Sequence, residues 1–194
     1  MMLKNLEKYR ILLASASPRR RELISMLDIP YQLAPAREIE EVYPDTLKPE
    51  KVSGYLAALK AEAYRPAIGS DDLVITADTT VICDGRVIGK PRDKEDACAM
   101  LHFLSGKTHT VVTGVAVTTA TRMEIIEVST KVRFDTLTDE EISYYVDRYK
   151  PLDKAGAYGI QEWIGAVAIK GIEGSYYNVM GLPVNALYNL LKNF

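Results

Sequence analysis

The segment Ser15-Ala16-Ser17-Pro18-Arg19-Arg20-Arg21 places two hydroxyls beside three consecutive guanidinium groups, just after an apolar run. Ser17 as a side-chain cap and Pro18 at the first helical position predict a helix start there. A helix N-terminus presents backbone N–H groups without intrahelical partners and a partial positive charge, which suits an anion. Arginines add donors in a fork that matches phosphate oxygens. They also oppose the helix dipole, so stability alone does not account for them in a first turn. Read by itself, the segment also fits an ordinary Ser-Pro cap with a solvated basic turn.

Other segments carry compatible chemistry. Asp78 and Thr79 follow the apolar run Leu73–Ala77, where α/β sheets place ligands, at a strand's end. A turn-capping aspartate is the plain alternative. Gly89-Lys90-Pro91 follows a hairpin, and Lys60 lies at the edge of a predicted helix face, where its ammonium points either to water or into a cleft. Glu38, Glu40 and Glu41 lie in an acidic loop. Such loops are usually only solvated, but one glutamate facing Asp78 would make a pair fit for Mg²⁺, which takes few carboxylates plus phosphate oxygens. Lys154-Ala155-Gly156-Ala157-Tyr158-Gly159-Ile160-Gln161 lets backbone approach a flat ligand, with Gln161 placed to read a base edge. Alone, it reads as a flexible surface loop. Together these residues supply arginines, lysines, carboxylates and a glutamine without any histidine, a set suited to a polyphosphate with a divalent metal.

Several other chemistries are excluded. The only histidines are His102 and His109, and with Cys83 and Cys98 they match no common zinc spacing. No Gly-x-Ser-x-Gly elbow or dinucleotide fingerprint is present. Ser105-Gly106-Lys107-Thr108 ends like a P-loop, but Leu101 stands where its first glycine belongs. With 24 basic and 26 acidic side chains the net charge is −2, which argues against a nucleic-acid coat protein. The longest uncharged run, Gly174–Leu191, is too polar to read as a membrane span. The apolar run Ile11–Ala14 is too short for a signal-peptide core, which needs roughly 7–15 residues. Two cysteines make no disulfide framework, so a reducing cytoplasm is expected.

These groups need elements to position them. Periodicity predicts strands at Arg10–Ser15, Tyr31–Ala34 and Leu73–Ala77, and a hairpin of Val81–Cys83 with Arg86–Ile88 around Asp84-Gly85. Long strands are expected at Thr110–Thr119 and Met123–Phe134. A helix at Lys51–Tyr64 carries Val52, Leu56, Leu59 and Ala63 on one face. Further helices are expected from Asp93 to Leu104, after the capping box Thr138/Glu141, and at Val184–Asn193. Pro35–Pro49 and most of Pro151–Pro183 read as loop. With 194 residues, 47% of them hydrophobic, the chain reads as one mixed α/β domain over residues 1–194.

The motifs LASASPRRREL (Leu13–Leu23), IEE (Ile39–Glu41), LKA (Leu59–Ala61), ADTTVICDG, IGKPRD, LSGKTHTVVTGV, PLDKAGAYGIQ and GSYYNVMGLP occur in order along nearly the whole chain. In this the chain resembles the Maf/YhdE-type nucleoside triphosphate pyrophosphatases. The resemblance implies a two-lobed, mixed-sheet Maf/ITPase-like α/β fold with the active site in the cleft between lobes, usually as a homodimer. It implies metal-dependent hydrolysis of a nucleoside triphosphate to the monophosphate and pyrophosphate, with Mg²⁺, or else Mn²⁺ or Co²⁺. By the same resemblance Asp78 is the proton acceptor, and Ser15, Arg20, Glu41, Lys60 and Lys90 are further polar active-site positions; Ser17 joins them as a substrate-binding candidate from the hydroxyls of its turn. Glu41 and Asp78 are the metal candidates, and Arg19, Thr79 and Gln161 match positions tied to substrate choice. Ser-Pro-Arg-Arg with Ala-Tyr-Gly-Ile-Gln looks like the branch acting on dTTP and UTP. The alternatives are the sister branch acting on 7-methyl-GTP, and a nucleotide-binding regulator of septum formation.

Overall fold

The computed structural model describes residues 2–194. Arg10–Leu13 (β1) leads into Pro18–Ser25 (α1), and Gln32–Leu33 (β2) pairs with β1 in parallel. After the acidic loop, Val52–Tyr64 (α2) precedes Asp72–Cys83 (β3), which also runs parallel to β1. β3 turns back through Asp84 and Gly85, at φ 50° and 75°, into Arg86–Ile88 (β4). Two residues in left-handed conformation are what a tight two-residue hairpin demands. Lys94–Leu104 (α3), Thr108–Thr118 (β5), Met123–Phe134 (β6) and Asp139–Tyr149 (α4) follow. The remainder comprises Trp163–Ala168 (α5), Ile169–Glu173 (β7), Tyr176–Met180 (α6) and Val184–Lys192 (α7). Among the described residues, seven strands form one mixed sheet in the order β2-β1-β3-β5-β6-β7, with β4 on β3. The α/β class expected from the sequence is therefore observed. Among the described residues, no helix is long and apolar enough to cross a membrane.

Two compact units divide the chain. The first holds residues up to Asp78, Thr113–Val128 and Gly181–Phe194; the second holds Thr79–Val112 and Ser129–Met180. The chain passes from one to the other inside β3, β5 and β6.

In the first unit, α2 lies close against backbone. An ideal Cβ on Gly114 would fall 2.4 Å from Gly54 N and from the Ser53 carbonyl, so only glycine fits. Ala57, Ala61 and Ala116 form a buried cluster beside it, and Thr76 Oγ1 donates to the Ala57 carbonyl at 2.7 Å. The buried face of α2 is Val52, Ser53, Gly54, Leu56, Ala57, Ala61 and Tyr64. This corrects the expected stripe, since Leu59 and Ala63 are only half-buried. Periodicity weights large apolar side chains, whereas close packing here selects small ones. At the start of the sheet, Arg10 donates to both carboxylate oxygens of Asp72, at 2.7 and 3.0 Å, pinning β1 to β3.

In the second unit, Asp93 caps α3 by accepting from Asp96 N at 2.8 Å. Thr138 and Glu141 complete the expected capping box of α4. The segment expected to be mostly loop, Pro151–Pro183, instead contains α5, β7 and α6. These elements are five or six residues long, too short for a period to show. β7 exists because β6 offers it an edge, with Val132 opposite Ile172. His109, Phe134 and Tyr158 pack edge to face, with His109 Nε2 2.7 Å from the Tyr158 hydroxyl.

Two outcomes follow for stability. Gly114→Ala is expected to cost about 1–3 kcal/mol in urea unfolding, because backbone must move to admit the methyl group. A loss within error would show that α2 backs away freely. Burial pushes the His109 imidazole down to about 4 from an ordinary 6.5. The unfolded chain therefore binds the extra proton first. This contribution is complete above pH 6.5 and is lost as pH falls toward 4. Against His109→Phe, the wild-type unfolding free energy should fall more steeply in that window, by up to about 1.4 kcal/mol per pH unit. Parallel profiles would refute it.

Candidate active site

β3 is buried along its 12 residues except at Asp78 and Thr79, which are half-buried. They lie between the last pairing of β3 with β1, Leu13 to Ile75, and its first pairing with β4, Val81 to Ile88. Asp78 therefore does not end a strand, as expected, but sits in mid-strand. The neighbouring parallel strand is what stops short, so the carboxylate emerges past the end of β1. The strand end that lies beside Asp78 is thus that of β1 rather than of β3.

Lys60 reaches Asp78 from α2. Its Nζ is 2.7 Å from Asp78 Oδ1 and 3.1 Å from Glu41 Oε1. The Lys60 and Asp78 side chains are 14% and 13% exposed, and Glu41 44%. One ammonium thus holds a strand carboxylate and a loop carboxylate together. In the low dielectric around the inner pair, their attraction is stronger than at an open surface. The acidic loop is not merely solvated: Glu41, itself exposed, pairs with the half-buried Lys60.

Arg20 belongs to the same surroundings. Its Nε donates to the Gly181 carbonyl at 2.8 Å. Burial lowers its pKa, Asp78 and Glu41 act in the opposite sense, and Arg19 adds repulsion. An arginine remains charged under such shifts. The structure therefore assembles Arg19, Arg20, Glu41, Lys60 and Asp78 into one electrostatic group within the first unit. Gly181 escaped the sequence reading: nothing in GSYYNVMGLP marks a carbonyl as the anchor of a distant arginine.

The start of α1 differs from expectation. Ser17 occupies the cap position in extended conformation, but its side chain makes no cap hydrogen bond. Instead its N–H donates to Ser15 Oγ at 3.2 Å. Pro18 sits in the first turn, which holds no acidic residue. Both serines thus border an anion-favouring helix end, with the Ser15 hydroxyl shaping the turn.

Thr79, Lys90 and Gln161 belong to the second unit. Strand alternation sends Thr79 to the face opposite Asp78. Lys90, past β4, and Gln161 are exposed. A further set in this unit was missed from sequence. Lys154, its side chain 9% exposed, lies 2.8 Å from Asp153 and 3.1 Å from Glu162. A buried lysine is rare, and its type alone predicts a solvated one.

The family model for Maf-like proteins matches residues 10–194. The chain belongs to the Maf family. A Maf relative in Phocaeicola vulgatus, described as a dTTP/UTP pyrophosphatase, is 57% identical over 191 residues, covering 98% of this chain and 99% of its own. One in Porphyromonas gingivalis with the same description is 56% identical over 195 residues, covering 100% and 98%. A third, in Parabacteroides distasonis, is 52% identical over 193 residues and covers both chains fully. A solved nucleoside-triphosphatase described as a dITP/XTP pyrophosphatase, from Mycobacterium abscessus, overlaps 74% of this chain and 97% of its own at 18% identity and a TM-score of 0.40. That likeness is too slight to carry an argument.

Among the described residues, no three or more His, Cys, Asp or Glu side chains cluster as a ready metal cage. Glu41 and Asp78 do fit a hard divalent cation that takes its remaining oxygens from phosphate and water. They already converge on one positive charge, the Lys60 ammonium.

If that ammonium is the keystone of the group, its removal exposes carboxylate repulsion. Lys60→Met should cost about 1–3 kcal/mol, and adding Asp78→Asn should recover part of it. A double-mutant cycle by urea unfolding reads this coupling, and strictly additive losses would refute it.

Proposed function

We propose that the chain hydrolyses dTTP and UTP to the nucleoside monophosphate and pyrophosphate. The observation that carries the reading is the Glu41–Lys60–Asp78 group beside Arg19 and Arg20. Its charge types match a triphosphate and an attacking water. The full-length relatives described as dTTP/UTP pyrophosphatases support the choice of substrate.

In this reading Arg19, Arg20, Lys60 and Lys90 bind the triphosphate tail. Ser15 and Ser17 complete the anion-binding turn at the start of α1. Lys60 fixes the Asp78 carboxylate through Oδ1, and Asp78 takes the proton of the water that attacks the α-phosphorus. The bond from that phosphorus to the oxygen bridging to the β-phosphate breaks, and pyrophosphate leaves with the bond's electron pair. Glu41 and Asp78 would hold a divalent cation, Mg²⁺ or else Mn²⁺ or Co²⁺, which when bound would supply charge neutralisation on the phosphate oxygens. Arg19, Thr79 and Gln161 set substrate choice, with Gln161 reading the base. Residues 1–194 act as one functional domain, a homodimer in the cytoplasm, with no nucleic acid or membrane as partner.

The deciting assay is pyrophosphate release with Mg²⁺ across canonical and methylated triphosphates. Release from dTTP and UTP ahead of 7-methyl-GTP is expected. Binding without release would favour a regulator, and preference for 7-methyl-GTP would place the chain in the sister branch. Asp78→Asn should lose roughly 10²–10⁴-fold in kcat while still binding nucleotide. Near wild-type turnover would remove Asp78 as the proton acceptor.

A further inference from the structure

The second unit contains a buried polar network with no place in the phosphate chemistry. Tyr145 of α4 is fully buried, and its hydroxyl donates to Glu162 Oε2. The same hydroxyl accepts the Gly159 N–H at 3.0 Å. The other Glu162 oxygen lies 3.1 Å from Lys154 Nζ. Glu162 N in turn donates to the Gly159 carbonyl at 3.0 Å, closing a four-residue turn from Gly159 to Glu162. One phenol oxygen thus grips both ends of that turn.

Gln161 lies inside the turn. Ile160 on one side is 7% exposed and the Glu162 side chain on the other 18%, whereas Gln161 is exposed. An ideal Cβ on Gly159 would fall 2.9 Å from Glu162 Cδ and 3.0 Å from Gln161 Nε2, so the amide lies folded over the turn it belongs to. Glu162 also precedes α5 without capping it, because its carboxylate is engaged by Tyr145 and Lys154. Burial and the Glu162 charge push the Tyr145 phenol far above its ordinary pKa, so it stays protonated and remains a donor. Burying a lysine and a glutamate in this way is costly unless each is paired and hydrogen-bonded, and here each is. A well-packed apolar set would hold a loop as firmly. What the polar set adds is direction, since a hydrogen-bonded turn has one register and one orientation for its tip.

We infer that Tyr145, Glu162 and Lys154 are positioning residues that hold Gln161 for base discrimination. The inference rests on the reading of Gln161 as the base reader. A side chain that distinguishes thymine or uracil from cytosine by hydrogen bonds must be placed within tenths of an ångström, and an exposed glutamine has too much rotamer freedom to do so from a loose loop. The network removes the backbone share of that freedom before substrate arrives.

The test uses Tyr145→Phe, Glu162→Gln, Gln161→Ala and the double variant Gln161→Ala/Glu162→Gln, each assayed on dTTP and dCTP with Mg²⁺. Tyr145→Phe and Glu162→Gln should each lower kcat/KM for dTTP about tenfold, mainly through KM, and that for dCTP less than about twofold, so the preference narrows. The double variant should narrow it no further than Gln161→Ala alone, because both changes disable one function. Equal loss on both substrates, or a lower melting temperature with the preference intact, would overturn the positioning role. Should Tyr145→Phe fail to fold, Glu162→Gln, which preserves shape, decides. If Gln161→Ala leaves the preference unchanged, the base-reader assignment itself fails and the inference falls with it. Narrowing by Gln161→Ala but by neither network variant defeats the inference alone.

Discussion

A single ammonium between two carboxylates makes demands on everything around it. For Lys60 to reach Asp78, α2 must lie close to the sheet, and large side chains at the contact would hold it away. Gly114, Ala57, Ala61 and Ala116 are the result: small residues where a period of apolar side chains would favour leucine. For Asp78 to be reachable at all, β1 must stop while β3 continues. For Glu41 to meet the same ammonium, a polar loop must pass over the end of the Lys60 side chain, which it can do at the surface because it brings an opposite charge. The arrangement leaves both carboxylates organised around one positive charge before any ligand is bound.

The two buried polar networks differ in how they are built. Around Lys60 the partners are ionic and the group is partly open, a state that can exchange partners when a charged ligand arrives. Around Tyr145 they converge on a fully buried phenol, which bonds a carboxylate and a backbone N–H while an ammonium pairs the carboxylate's other oxygen. The first kind is suited to reaction, the second to holding a shape.

Much of this was legible in the residues. The hairpin at Asp84-Gly85, the caps at Asp93 and Thr138/Glu141, and the strand Met123–Phe134 were visible because each depends on local chemistry: left-handed turn residues, N–H acceptors, alternation. The candidate residues Glu41, Lys60 and Asp78 were visible as types and as matches to a family pattern, but not as one ion-paired group, because 18 positions separate Lys60 from Asp78 along the chain. What sequence could not reveal depends on distant partners. β7 exists through β6, the role of Gly181 through Arg20, and the burial of Lys154 through Glu162 and Asp153. The helix does start after Ser17, as its type and Pro18 indicate, but the side-chain cap bond that the type favours is not made.

The threading of the chain also bears on how such a protein can change over generations. The boundary between the units is crossed four times, three of them within β3, β5 and β6, and Asp78 and Thr79 stand on either side of the first. Neither unit corresponds to one stretch of gene. Recombination that exchanged a single interval would graft half-strands onto foreign partners and spoil register on both sides. Residues of the first unit and those of the second are therefore inherited together, and new preferences must arise by point substitution within an intact frame rather than by borrowing a module.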